Sequence, residues 1–64
     1  MYRNTRYTIK GKSFSVEQHS EPEYSVILNT PNGNECFEYD NKDDADRDYS
    51  TIKTVLQHVY DSLV

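Results

Sequence analysis

The 64-residue sequence predicts an α+β fold: an antiparallel β-meander of three to four strands followed by one C-terminal α-helix packed on one face, in the order ββββα. Three observations lead there. Apolar and polar residues alternate through short segments up to Tyr39, and turn-forming residues separate those segments. After Tyr39 the apolar period changes from two residues to that of a helix. The expected elements are strands at about 3–10, 12–18, 23–29 and 35–40 and a helix at about 42–62, within one small domain spanning 1–64.

Tyr7 and Ile9 alternate with polar residues before Gly11-Lys12, a Gly-X pair suited to a type II′ turn, and Phe14 and Val16 alternate after it. A two-residue loop there sets Ile9 against Phe14 and Tyr7 against Val16, all on one face. The polar segment 18–23 contains Pro22 and reads as a loop. Tyr24, Val26 and Leu28 then share a face, with Ile27 opposite. Two turn chemistries compete in 30–34. A type I′ turn on Asn32-Gly33 pairs Leu28 with Phe37 and Val26 with Tyr39, whereas a bulged type I turn on Pro31-Asn32 pairs Ile27 with Phe37. Hydrophobic matching favours the first.

Ala45, Tyr49, Ile52, Leu56, Val59 and Leu63 recur at alternating spacings of four and three, which places them on one helical stripe. Asp40 or Asn41 suits the N-cap; with Asn41 there, Asp44 occupies the third helical position, a relative of the capping box. A helix of about 20 residues is roughly 30 Å long, so one end should overhang strands of five to seven residues, about 17–24 Å. Val55 and Tyr60 widen the stripe, either as flanking core residues or as part of a two-fold dimer contact.

Composition narrows the function classes. Apolar residues make up 34% of the chain, mean hydropathy is −0.95, and a chain this short buries only about 60% of its unfolded surface. There is no apolar run of about 20 residues and no apolar leader in the first ten, so the expectation is a soluble, cytoplasmic domain. Cys36 is the only cysteine, and with His19 and His58 as the only histidines a Cys/His metal framework is not expected. Asp44, Asp46 and Asp48 mimic the start of a calcium loop, but the glycine and glutamate such a loop requires are replaced by Tyr49 and Val55. Residues two apart on a helix also point about 200° away from each other. No phosphate loop, nucleophile elbow or paired catalytic acid is present, so neither an enzyme nor a cofactor is expected.

Charge is graded along the chain. The first twelve residues carry Arg3, Arg6, Lys10 and Lys12 and no acid, while 35–48 hold seven acids against two bases. The net charge of −4 disfavours nucleic-acid binding, which rests on neutralising phosphates, although the basic N-terminal hairpin offers local phosphate contact as one alternative. Asp40, Asp43, Asp44, Asp46, Asp48 and Glu38, together with Tyr60, are the candidate partner-binding residues. The acids read either as a solvated helix entrance favoured by the macrodipole or as a face for a basic partner. The six tyrosines suit an interface or the completion of a thin core, with Tyr2 and Tyr60 expected exposed. The leading expectation is a small acidic protein-protein interaction module. In size and acidity it is similar to the inhibitor and accessory proteins that bacteriophages and mobile elements encode, and its carboxylates would stand in for phosphates on a basic or nucleic-acid-binding partner. A structural or regulatory homodimer is the other alternative.

Overall fold

The computed structural model describes residues 2–63 as strands β1 (Tyr2–Ile9), β2 (Lys12–His19), β3 (Tyr24–Thr30) and β4 (Gly33–Tyr39), followed by helix α1 (Lys42–Leu63). The strands lie in chain order, antiparallel throughout, so β1 and β4 are the two edges of the sheet. This is the expected ββββα meander, with α1 against one face.

The face assignments match the alternation, but both hairpin registers differ from expectation by two residues. The first turn falls on Lys10-Gly11, both left-handed at φ 51° and 77°, so Tyr7 pairs with Phe14 and Thr5 with Val16. Positive φ at both central residues is the type I′ requirement and matches the twist of the flanking strands. A two-residue slip keeps every side chain on its face, and here it also sets Arg3 opposite Gln18. In the second hairpin a two-residue connection, Pro31-Asn32, closes on Thr30 and Gly33; Val26 pairs with Phe37 and Tyr24 with Tyr39. Thr30 fastens the turn, its Oγ1 accepting from the Asn32 N–H and donating to the Gly33 carbonyl. Gly33 takes φ 138°, a conformation that L side chains rarely adopt.

His19, expected in a loop, extends β2, and Gln18, where the expected strand and loop overlap, belongs to the strand. The loop itself is confined to residues 20–23 and includes a cis Glu21–Pro22 bond. Polarity misleads at Gln18, which is fully buried and hydrogen-bonded by its neighbours.

Val16, Val26, Ala45 and Tyr49 form the buried core, with Tyr24, Tyr39, Ile52 and Leu56 packed around it; Tyr7 and Ile9 are also buried. Asn41 caps the helix, its Oδ1 accepting from the Asp44 N–H at 2.9 Å. At 22 residues α1 is about 33 Å long, longer than the strands it crosses. Burial therefore fades along the stripe: Ala45 and Tyr49 are buried, Ile52 and Leu56 half-buried, Val59 and Leu63 exposed.

Candidate functional site

The acids around the start of α1 divide by what they touch. Asp46 is drawn into a polar network. Arg3 Nε donates to Gln18 Oε1 at 2.7 Å, Gln18 Nε2 donates to Asp46 Oδ1 at 2.7 Å, and Lys42 Nζ donates to Asp46 Oδ2 at 2.7 Å. Arg3 also reaches Asp46 Oδ1 at 3.4 Å, and its guanidinium lies 4.0 Å from the centre of the Tyr49 ring. The Lys42 and Gln18 hydrogen bonds hold the Asp46 carboxyl below the ordinary carboxylate value.

Asp48 accepts the Tyr39 hydroxyl at 2.7 Å. Burial and that carboxylate push the Tyr39 phenol up to about 12. Asp44 serves the cap and meets Arg47 at 3.4 Å. Arg47 bridges Asp44 and Asp48, at 3.4 and 3.5 Å, while Asp46 turns to Gln18 and Lys42, and among the described residues no group of acids, histidines or cysteines converges on a metal position.

The remaining acids face outward. Glu38, at the end of β4, and Glu23, beside β3, line one shallow hollow, and the neighbouring Glu38 carboxyl raises the Glu23 pKa. Asp40 lines the same shallow hollow, together with Tyr24 and Tyr39, and Asp43 is exposed in the first turn of α1. Glu23 was not among the acids singled out by sequence. Charge density marks 35–48, whereas Glu23 arrives from the loop before β3 through the register that sets Tyr24 against Tyr39 and Ser25 against Glu38.

Tyr60 does not join this group. It is half-buried rather than exposed, its ring 5.8 Å from that of Tyr7, and it lies 17 residues, about 25 Å of helix rise, beyond Asp43. Tyr2 is exposed, as expected. The four N-terminal bases also fail to form one surface. Arg3 points to the helix side, Arg6 alternates to the opposite face and lines one hollow with Lys12, and Lys10 occupies the turn. Arg3 and Gln18 share the face of Tyr7 and Val16, which was the signal in the sequence for their inward role.

The sheet face away from α1 is polar. Glu17 there accepts from the Asn29 amide, His19 and the Tyr2 hydroxyl, which together hold its carboxyl below the ordinary value, Asn29 contributing most. Cys36 lies on this face opposite Ile27 and is exposed. Among the described residues no helix is long and apolar enough to cross a membrane. No protein-family model, curated protein or solved structure matches the chain.

Proposed function

We propose that the chain is a small acidic protein-binding module that presents Glu23, Glu38, Asp40 and Asp43 to a basic surface of another protein. The observation that carries this reading is the hollow that Glu23, Glu38 and Asp40 line together, in which the Glu38 carboxyl raises the Glu23 pKa. Like charges placed this close destabilise the isolated chain, and a cationic surface seated on them removes that repulsion. Asp44, Asp46 and Asp48 act structurally in this reading, since each already has a partner. A partner whose own ligand is a phosphate backbone fits best, the carboxylates replacing phosphates, as expected of an inhibitor or accessory protein. The test is retention of a basic protein on immobilised chain at low and moderate salt, compared with the triple variant E23Q/E38Q/D40N. Retention that falls with salt and vanishes in the triple variant supports the reading; equal retention by both forms, or none by either, overturns it.

A further inference from the structure

We propose that the free edge of β4 takes up an extended, basic segment of the protein partner as a fifth, antiparallel strand. This rests on the reading of the chain as an acidic protein-binding module and adds the mode of binding to it.

β4 is an edge strand, and every residue from Gly33 to Glu38 is exposed. A two-residue connection makes Thr30 and Gly33 the closing hydrogen-bonded pair. Because such pairs alternate along an antiparallel ladder, Asn34, Cys36 and Glu38 turn their N–H and C=O groups outward. Edge strands are usually blunted by charge, proline or a bulge. β4 contains no lysine or proline, its register with β3 runs without a bulge from Thr30–Gly33 to Tyr24–Tyr39, and its only charges are the carboxylates of Glu35 and Glu38.

An apolar side chain adjoins the edge: Phe37 lies on the helix side of β4 and is 40% exposed.

Charge selects the occupant. Glu35 projects on the helix side of β4 and Glu38 on the other, so an incoming strand meets a carboxylate on each of its faces. A second copy of this chain would bring another acidic edge and a further net −4, whereas a basic strand satisfies both glutamates. In antiparallel order the fitting pattern is basic opposite Glu38, apolar opposite Phe37, small opposite Cys36 and basic opposite Glu35.

The test uses a dye-labelled peptide of the order threonine-lysine-valine-threonine-lysine-valine-threonine, read by fluorescence anisotropy. Two control peptides replace the lysines by glutamate or the central threonine by proline. Saturable binding is expected for the first, weaker by at least about ten-fold for each control. Cys36→Pro removes an outward N–H without touching the β3 ladder, and Phe37→Glu removes the exposed apolar contact; each should weaken binding by a similar factor. As a measurement needing no variant, amide exchange should slow at Asn34, Cys36 and Glu38 in the complex. Equal binding of the proline-broken peptide, lost in E23Q/E38Q/D40N, overturns the strand mode while leaving the acidic module standing. A dimer by light scattering that Cys36→Pro dissociates overturns it in favour of a second copy. Failure of all peptides overturns it too, and the module reading falls with it only if the immobilised chain also retains no basic protein.

Discussion

Replacing Gln18 by methionine isolates what a buried amide contributes to so small a core. The side chains are close in volume, so packing is nearly conserved, while two hydrogen bonds to charged groups disappear: Arg3 Nε to Gln18 Oε1 and Gln18 Nε2 to Asp46 Oδ1, both 2.7 Å. Such bonds contribute about 1.5–3 kcal/mol each in full burial. Gln18 is fully buried, but the Arg3 and Asp46 side chains are 41% and 33% exposed, so water recovers much of their solvation. The net cost of Gln18→Met should therefore be about 2 kcal/mol, a sizeable part of the roughly 3–10 kcal/mol that a chain of this length commands. With an unfolding entropy of about 2.1 cal/mol/K per residue, the melting temperature should fall by about 15 °C. Circular dichroism melts of Gln18→Met, Asp46→Ala and the double variant provide the assay. The two single losses should be less than additive, because both break one shared network. A melting temperature within about 3 °C of the parent, or strict additivity, would refute the claim that Gln18 links Arg3 to the helix.

Lys10→Asn should raise stability by about 0.5–1 kcal/mol, since asparagine tolerates the left-handed φ that Lys10 adopts; an unchanged urea midpoint would argue against the type I′ turn. Asn41→Ala should cost about 1 kcal/mol through loss of the bond to the Asp44 N–H, visible as a lower midpoint at unchanged slope. The carboxyls of Glu17 and Asp46 are held low in the folded chain, so their contribution is present above the unfolded carboxylate value of about 4 and is lost as pH falls through their depressed folded values. Urea midpoints should therefore drop on acidification, and less steeply in Glu17→Gln. Glu23 has the opposite sign. Its raised pKa favours the folded state at acid pH, and that gain is lost as pH rises through the raised value, so Glu23→Gln should stabilise at pH 7 and not at pH 3. A stabilisation equal at both pH values would remove the Glu23–Glu38 contact as its cause.

Period alone determined the element order and the faces of this protein, and capping chemistry narrowed the helix start to Asp40 or Asn41. Alternation by two assigns Tyr7, Val16, Val26 and Phe37 to one side for any slip by an even number of residues, and the three-and-four spacing from Ala45 onward has no other regular solution. The same property hides register: a slip of two residues preserves every face, so hydrophobic matching favoured Leu28 over Ile27 as the partner of Phe37 and missed Val26, which shares Leu28's face. Tertiary structure made that choice through the left-handed pair Lys10-Gly11 and the tight Pro31-Asn32 connection. Those registers then set Arg3 against Gln18 and brought Glu23 to Glu38. The division of the acids into structural and outward-facing sets was illegible for the same reason. Whether an aspartate is satisfied depends on a residue more than twenty positions away, as for Asp46 and Gln18, and only the packed chain brings them together.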